Sequence, residues 1–274
     1  MKVPGESRGI EAFLMPILYR LPVLSCCAKT RGWPYLMSWL HRVTGIGLIL
    51  ILTVHLCTLA SEQMPDFYNV KKAAPSSFCL FLAWASSLVV GFHALNGGRI
   101  LLYELFGSRG DPGMIRWVFG LTAAYAVMVG LMMILRNQHA SAFFFWLVAF
   151  FSGAVAACVV ASRTGKKRHS LLWRLQRISA AFLFITVPAY LLFSYLNPGE
   201  AAGAGEAIAR IQHLFTRLVA LTLAAGALYH AGYGLFSIAA DYTHSPAART
   251  GITAIIFVLI AALAVLALRL IISI

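Results

Sequence analysis

Charged residues are scarce in this sequence, and acidic residues are scarcer still. Charged residues make up 11% of the 274 residues, against roughly a quarter in an average soluble protein, and only nine acids accompany 22 lysines and arginines. Hydrophobic residues make up 60%, and the mean hydropathy is +0.81. This composition excludes an ordinary soluble domain and indicates a polytopic membrane protein. The cations cluster between apolar runs, so they indicate membrane topology and not a nucleic-acid partner.

The motifs of soluble catalytic domains are also missing. The five cysteines show no CxxC spacing, so we expect reduced packing residues and neither a zinc site nor an iron–sulfur cluster. The sequence contains no glycine-rich phosphate loop. The first long apolar run lies too far from the N-terminus to predict a secretory signal. We therefore expect no soluble catalytic domain within this sequence.

Seven apolar runs are each near the roughly 20 residues that a helix needs to cross a bilayer. Backbone polar groups in lipid must be satisfied within the segment, so these runs are predicted to be helices. The predicted spans are about residues 38–60, 78–104, 114–136, 142–162, 170–195, 213–240 and 248–272. Before them, Ile10–Leu24 is short and interrupted by prolines, and we expect it on the membrane surface or against a partner subunit.

Lysines and arginines predict the orientation of the chain. With the N-terminus inside, sixteen of the 22 fall on the inner side, and the basic segment 163–169 places the loop between helices 4 and 5 there. An odd number of spans puts the two termini on opposite sides. We therefore expect a cytoplasmic N-terminus and an outer C-terminus.

The chain contains two similar three-helix units. Helix 1 begins with His41-Arg42 and helix 5 with Gln176-Arg177, each followed by an aliphatic, a hydroxyl and a small residue. A histidine follows 51 residues after Arg42 and 53 residues after Arg177. Two three-helix units joined directly would point in opposite directions, and helix 4 restores the second unit to the orientation of the first.

The predicted fold is therefore an all-α integral membrane protein with seven transmembrane helices. Two parallel three-helix repeats are joined by an extra helix, and helices 1, 2, 5 and 6 form a four-helix core with helices 3, 4 and 7 outside it. The predicted parts are an N-terminal cytoplasmic or interfacial segment (1–37), the first repeat (38–136), the linking helix with its basic loop (137–169) and the second repeat (170–274).

His93 and His230 lie deep in apolar runs at matching places in the two units. Each is followed by a glycine four residues later and by an acid eleven residues later. These are Gly97 and Glu104 after His93, and Gly234 and Asp241 after His230. A helix rises about 1.5 Å per residue, so both histidines lie roughly 16 Å from their acids and at one depth. Ionisable residues inside a span indicate function, although a histidine bonded to a neighbouring helix is the structural alternative. Two imidazoles at one depth predict a single bis-histidine haem b, so the four-helix core is predicted to be a haem-binding core. The glycines would let the flat macrocycle approach the backbone.

Arginines near the inner helix ends are candidate partners for the haem propionates. A guanidinium pairs with a carboxylate in a fork, so Arg42 and Arg177 suit this role, with His41 beside Arg42 in the cofactor-binding group. Ser38 shares a helix face with Arg42. The structural alternative is anchoring at the membrane surface, where a long basic side chain reaches the interface.

Asp241 and Tyr242 close helix 6 on the inner side. The Tyr242 hydroxyl suits a quinone carbonyl, and Asp241 could orient the ring or relay protons. The structural alternative is a plain loop at the end of a helix.

His55 lies in the outer half of helix 1, where it could ligate a second haem. Its match in the second unit is Tyr190, so the symmetric ligand is missing, and His213 could substitute for it. We expect one haem, with His55 inert or hydrogen-bonded.

These motifs resemble the cytochrome b anchor subunits of succinate dehydrogenase. The motifs similar to the larger anchor subunit are Ser38-x-x-His41-Arg42-x-Thr44-Gly45 and His93-x-x-x-Gly97-x-Arg99. Those similar to the smaller anchor subunit are Arg177, His230-x-x-x-Gly234 and Asp241-Tyr242. In most members these are two separate three-helix chains, whereas here they look fused, with helix 4 as the joint.

The resemblance implies that His93 and His230 ligate haem b. It implies a quinone site formed by Ser38 and Arg42 together with Asp241 and Tyr242. Flavoprotein and iron–sulfur subunits on the inner face would supply electrons from succinate, as part of the tricarboxylic acid cycle. A fused anchor favours a bacterial inner (cytoplasmic) membrane.

Three alternative functions remain open at this point. A quinol-oxidising fumarate reductase has the same kind of anchor, because the quinone and the partner subunits set the direction of the reaction. A secondary transporter also contains internal repeats, but it typically has helices broken by glycine or proline and a charged site at the midplane. A haem-free structural anchor would be colourless and would still bind soluble redox subunits.

Overall fold

The structure is a computed structural model that describes residues 22–62, 77–107, 111–135, 139–165, 169–198 and 206–272. Within these ranges the chain is almost entirely helical. The helices are α1 (Pro22–Glu62), α2 (Ser77–Phe106), α3 (Asp111–Leu135), α4 (Ala142–Thr164), α5 (Leu171–Phe193), α6 (Glu206–Tyr242) and α7 (Pro246–Ile272). Two-residue strands β1 (His139–Ala140) and β2 (Asn197–Pro198) pair in parallel and join the α3–α4 connection to the α5–α6 connection.

Each of these helices contains a stretch long and apolar enough to cross a bilayer, from Gly32–Ala60 in α1 to Pro246–Ile272 in α7. Large apolar side chains on the outside of the bundle are exposed, such as Val54 (66%), Ile134 (78%) and Phe257 (73%). Such a surface is unfavourable in water, whereas in a bilayer it faces hydrocarbon. The predicted all-α fold with seven membrane spans is confirmed, and the chain is an integral membrane protein.

Helix α1 begins at Pro22, well before the predicted start at residue 38. It is interrupted at Gly32, whose φ of 77° and ψ of 168° are not helical, and the candidate span begins there. A residue with a side chain rarely adopts this φ, so glycine suits the break. Pro34 follows in the first turn of the new segment, where its missing N–H costs no helical hydrogen bond. Most of the predicted surface segment Ile10–Leu24 lies outside the described residues.

Four helices form a closed ring at the centre of the bundle. Helix α1 packs against α2, α2 against α5, α5 against α6, and α6 against α1. Helix α3 packs on α2, α4 packs mainly on α5, and α7 packs on α6 and α1. The ring consists of the first two helices of each three-helix unit, so α2 and α6 lie diagonally across it from each other.

Small residues let the central helices approach closely. A Cβ on Gly98 of α2 would lie 2.9 Å from the Phe184 ring of α5, and a Cβ on Gly153 of α4 would lie 2.9 Å from Thr186 of α5. Contacts of this kind are typical of helices that associate in lipid, where van der Waals packing replaces the hydrophobic effect. Helix α5 is therefore held on both sides, and this fixes the second unit against the first.

Candidate functional site

His93 on α2 and His230 on α6 face each other inside the four-helix ring. Their ring centroids lie 6.2 Å apart, and the ring planes are nearly perpendicular at 89°. The predicted meeting of the two repeat histidines is thus present in the structure. Because α2 and α6 hold matching positions in the two units, the pair lies between the units.

The Nδ1 atom of His93 is held by helix α1. It lies 3.1 Å from the His41 carbonyl oxygen and 3.2 Å from Thr44 Oγ1. The Thr44 hydroxyl itself lies 2.8 Å from the Leu40 carbonyl and donates to it, so its oxygen is free to accept. These contacts favour the tautomer with a proton on Nδ1, which leaves the Nε2 lone pair as the available ligand.

Two features of α1 fit closely around His93. The His41 ring stacks on the His93 ring, with centroids 4.0 Å apart and planes 9° from parallel. A Cβ on Gly45 would lie 3.1 Å from His93 Cε1, and a Cβ on Gly97 would lie 3.4 Å from His41 Cε1. The space beside Gly97, which we predicted would admit a macrocycle, holds the His41 ring in this structure.

His230 is held by α5, whose Gln176 backbone carbonyl lies close to the His230 ring as the His41 carbonyl of α1 lies close to the His93 ring. Gln176 on α5 donates from Nε2 to the His230 carbonyl oxygen at 3.2 Å. His230 Nδ1 and Gln176 Oε1 are both buried and have no hydrogen-bond partner among the described residues, and the same is true of His41 Nδ1. Buried polar atoms are normally satisfied, so these three atoms mark the site as one that requires further partners.

The separation of the two histidine rings is compatible with one iron held between them. A metal–imidazole bond is about 2 Å long and the ring centroid lies about 1 Å beyond the nitrogen, so two axial imidazoles have centroids roughly 6 Å apart. The observed 6.2 Å agrees with that separation. A ligating histidine usually donates its other N–H to a carbonyl, as His93 does to His41. Among the described residues no group of three or more His, Cys, Asp or Glu is placed to hold a bare metal ion, whereas porphyrin iron takes only two ligands from the protein.

Arg42, Asp241 and Tyr242 form a cluster at one end of the bundle. Arg42 Nη2 lies 2.7 Å from Asp241 Oδ2, and Arg42 Nη1 donates to the Tyr242 hydroxyl oxygen at 3.0 Å. The Arg42 and Asp241 side chains are 36% and 49% exposed, so a ligand can reach them. Ser38, one turn before Arg42 on α1, is also exposed. The structure therefore brings together three of the four residues that we predicted for a quinone site, with the fourth on an exposed turn beside them.

Arg177 forms the matching ion pair on the other side of the ring. Its Nε lies 2.5 Å from Glu104 Oε2, and its Nη2 lies 2.7 Å from Glu104 Oε1. The Arg177 and Glu104 side chains are only 22% and 32% exposed. The carboxylate in this fork belongs to the chain itself, so a propionate would have to share the guanidinium with Glu104. The role of Arg177 as a propionate partner stays a prediction.

The two ion pairs cross between the units. Arg42 of the first unit binds Asp241 of the second, and Arg177 of the second binds Glu104 of the first. Sequence reasoning treated Glu104 only as a marker of membrane depth. The sequence does contain a signal for its pairing with Arg177. Glu104 matches Asp241 in the repeat, and equivalent acids are expected to meet equivalent bases.

His55 lies near its repeat counterpart. His55 Nε2 is 2.9 Å from the Tyr190 hydroxyl, so these two equivalent positions hydrogen-bond to each other. This contact favours the hydrogen-bonded alternative for His55 over a second haem. His213, the other candidate for that haem, is exposed at the far end of α6.

Fold and site together define a class of protein: a duplicated helical membrane protein with a histidine pair inside its central ring and a charged cluster at one end. The family model for the succinate dehydrogenase/fumarate reductase transmembrane subunit matches residues 30–135 and residues 158–267. These segments make up well over half of the sequence, and the chain belongs to this family. The first segment covers α1 to α3 and the second runs from the end of α4 into α7, consistent with two fused anchor units. Searches of curated proteins and of solved structures gave no match.

Proposed function

We propose that this chain is the cytochrome b membrane anchor of a succinate dehydrogenase, holding one haem b between His93 and His230 and passing electrons from an iron–sulfur subunit to quinone. The observation that carries the proposal is the pair of inward-facing imidazoles, with centroids 6.2 Å apart, on equivalent helices of the two units. The family match supports the anchor role.

A haem at this site would supply one-electron chemistry and a temporary store for an electron. The chain supports it by fixing its own ligands. The His41 carbonyl and the Thr44 hydroxyl hold the Nδ1 proton of His93, and the missing side chain at Gly45 leaves room for the His93 ring. The surrounding apolar helices exclude water and lower the local dielectric constant.

We propose that quinone binds at the Arg42–Asp241–Tyr242 cluster. A quinone carbonyl can accept from the Tyr242 hydroxyl and from the Arg42 guanidinium, which already lie 3.0 Å apart. Quinone reduction takes up two electrons and two protons, and Asp241 is an exposed carboxylate in contact with Arg42 that can pass protons from the aqueous side. Ser38 is the remaining polar group on this face of α1.

The proposed orientation places this cluster on the cytoplasmic side of a bacterial inner membrane. Sixteen of the 22 lysines and arginines lie on that side in the orientation inferred from the sequence. The flavoprotein and iron–sulfur subunits would dock on this cationic face, within reach of the quinone cluster.

The family description covers fumarate reductase anchors as well, so the opposite direction is the second candidate. The anchor geometry is the same for both directions, because the quinone potential and the partner subunits set the net flow. Steady-state rates of succinate oxidation and of fumarate reduction, measured on the purified complex with each quinone class, distinguish the two.

The first experiment is purification of the complex from its native membrane, followed by a list of its subunits and a reduced-minus-oxidised spectrum. We expect a flavoprotein, an iron–sulfur protein and a b-type spectrum. A colourless complex that retains the redox subunits would identify a structural anchor without haem. A colourless chain that purifies alone would indicate a transporter.

A further inference from the structure

Arg249 of α7 is bonded to the main chain on both sides of the Asp241–Tyr242 pair. Its Nη2 atom donates to the carbonyl oxygen of Ala240 at 3.0 Å and to that of Thr243 at 3.2 Å. Ala240 directly precedes the pair, and Thr243 directly follows it. One amino group has two hydrogens and can donate to both carbonyls, so a single side chain holds both ends of this short segment.

A cation at this place favours the end of α6 and disfavours the start of α7. The last four carbonyls of a helix lack partners within the helix, and basic side chains commonly bond them. In α6 the Ala239 carbonyl accepts from the Thr243 N–H at 2.9 Å, and the next carbonyl, that of Ala240, accepts from Arg249. Arg249 itself lies in the first turn of α7, where the helix dipole disfavours a cation. Its position is therefore explained by what it binds on α6.

Helix α7 fixes the position of Arg249. The connection between α6 and α7 is three residues long, 243–245, and the Arg249 N–H donates to the Ser245 carbonyl at 2.9 Å where the new helix starts. Further along, a Cβ on Gly232 of α6 would lie 3.3 Å from Ile260 of α7, so the two helices approach closely. The guanidinium is thus held in place relative to the turn that it bonds.

Two arginines from different helices therefore hold the same pair of residues. Arg42 of α1 contacts the side chains, at 2.7 Å from Asp241 Oδ2 and 3.0 Å from the Tyr242 hydroxyl oxygen. These are the groups that we propose for quinone, so a quinone carbonyl would compete for them. The two contacts of Arg249 involve backbone oxygens, and they can persist while quinone is bound.

We propose that Arg249 is a positioning residue for the quinone site: it fixes the backbone of the Asp241–Tyr242 pair, so that the Tyr242 hydroxyl and the Asp241 carboxylate keep their places when quinone replaces their contacts with Arg42. Arg249 touches no quinone atom in this role and acts through the two residues that do. This inference rests on the proposed quinone site.

The test uses the purified complex with Arg249→Gln, whose shorter side chain loses both carbonyl contacts. Misplacing one hydrogen-bond donor should raise KM for quinone roughly fivefold, while succinate oxidation by a soluble artificial acceptor stays native. A merely structural role would reduce the amount of intact complex and leave the KM of the remainder unchanged. Arg269→Gln, at the opposite end of α7, is the control and should have native kinetics. An equal rise of KM in that control would show a general effect of charge and would overturn the inference.

A double-variant cycle shows whether Arg249 acts through Tyr242. Residues coupled through a shared backbone segment give non-additive effects, whereas independent sites add. In a Tyr242→Phe background, Arg249→Gln should change KM by less than about twofold, because the donor that it positions is already missing. Should Arg249→Gln fail to assemble, Arg249→Met, which keeps the apolar stem without the donors, takes its place in the same cycle. If neither variant assembles, Arg249 serves assembly and the inference is wrong.

The inference also fails if Arg249→Gln keeps the native KM, or if its effect is undiminished in the Tyr242→Phe background, while Tyr242→Phe and Arg42→Leu still slow quinone reduction selectively. Those results would leave the proposed quinone site intact. If instead Tyr242→Phe and Arg42→Leu leave quinone reduction native, the proposed site itself is wrong, so the two failures are distinguishable.

Discussion

Gly45 shows at the scale of one residue how the sequence is adapted to the histidine pair. A Cβ at this position would lie 3.1 Å from His93 Cε1, closer than most real Cβ contacts. The matching residue of the second unit is Ala180, which packs against the cluster of Leu101, Leu105 and Val160. At Gly45, α1 therefore packs directly against the His93 ring through a position that has no side chain.

We predict that Gly45→Ala lowers the haem content of the purified complex. The added methyl group pushes His93 away from the carbonyl that orients it, and overpacking of this kind costs about 1–3 kcal/mol. Haem per flavin, measured by pyridine haemochrome, should fall while the subunit ratio stays constant. Gly47→Ala is the control, since its Cβ would lie 3.9 Å from Val89 and fits without strain. Equal haem content in both variants would contradict this packing argument.

We predict that Tyr242→Phe slows quinone reduction without slowing succinate oxidation by a soluble artificial acceptor. Removing one hydrogen bond worth about 1 kcal/mol should reduce kcat/KM for quinone roughly fivefold. Arg42→Leu should have a larger effect, because it removes a charged donor and leaves Asp241 unpaired. Tyr233→Phe, on the same helix but away from the cluster, is the control. A parallel loss of both activities would place the defect in assembly and not in a quinone site.

The histidine pair could be predicted from the sequence because its signal is local. Each histidine is a polar residue inside an apolar run, and the repeat gives both the same depth. The pairing of the arginines could not be predicted in the same way. Sequence spacing places Arg177 and Glu104 near one end of the bundle, but only the packing of α5 against α2 shows that they bind each other.

At the scale of the helices, two ion pairs, Arg42–Asp241 and Arg177–Glu104, connect the first three-helix unit to the second. Arg177 binds Glu104 with two nitrogens in a half-buried position, whereas the Arg42–Asp241 pair is more exposed. A charge-assisted hydrogen bond in a partly dry site is stronger than one in water, so the α2–α5 pair should contribute more to stability.

We predict that Glu104→Gln and Arg177→Gln each destabilise the complex by about 2 kcal/mol, because each leaves one charge without its partner. Thermal inactivation of the assembled complex measures the loss. The exchanged double variant, Glu104→Arg with Arg177→Glu, should recover part of the stability that either charge-reversed single variant loses. Strictly additive losses in the double variant would show that the two residues do not act as a pair.

The start of α1 shows why element boundaries were harder to predict. The sequence predicted the first span only from residue 38, and both Gly32 and Pro34 before it disfavour an uninterrupted helix. The structure instead places a break at Gly32 and continues the helix on both sides of it. Glycine absorbs the non-helical φ and proline starts the next turn, so the same residues that suggested an end permit a bend.

On the scale of the whole molecule, the repeat places equivalent positions of the two units opposite each other at two levels of the bundle. One level pairs His93 with His230, and the other pairs His55 with Tyr190. Both are pairs of equivalent positions, so duplication of the unit placed them opposite each other. Only the first pair consists of two imidazoles, the side-chain type that can ligate a metal from both sides.

We predict that the complex contains one haem and that His55→Phe leaves its amount and its midpoint potential unchanged. The His55 Nε2 atom is already bonded to the Tyr190 hydroxyl at 2.9 Å. Potentiometric titration of the b-type absorption in the native complex should follow one component. Two components, one of which disappears in His55→Phe, would show that this residue ligates a second haem.

The overall architecture could be predicted because lipid restricts the choice. Apolar runs of span length must be helices, and two similar units separated by one helix must run parallel. The helices that would form the central ring followed from the positions of the histidines. The sequence did not show how α4 packs, since its apolar surface resembles that of every other span, and the structure places it mainly against α5.

The most direct test of the account is the reduced-minus-oxidised spectrum of complexes that carry His93→Ala or His230→Ala, each purified with its full set of subunits. We predict that the two imidazoles, whose ring centroids lie 6.2 Å apart, are the axial ligands, so either substitution should abolish the native b-type absorption, while His55→Phe keeps it. A native spectrum in both alanine variants would contradict the assignment of these histidines as the haem ligands.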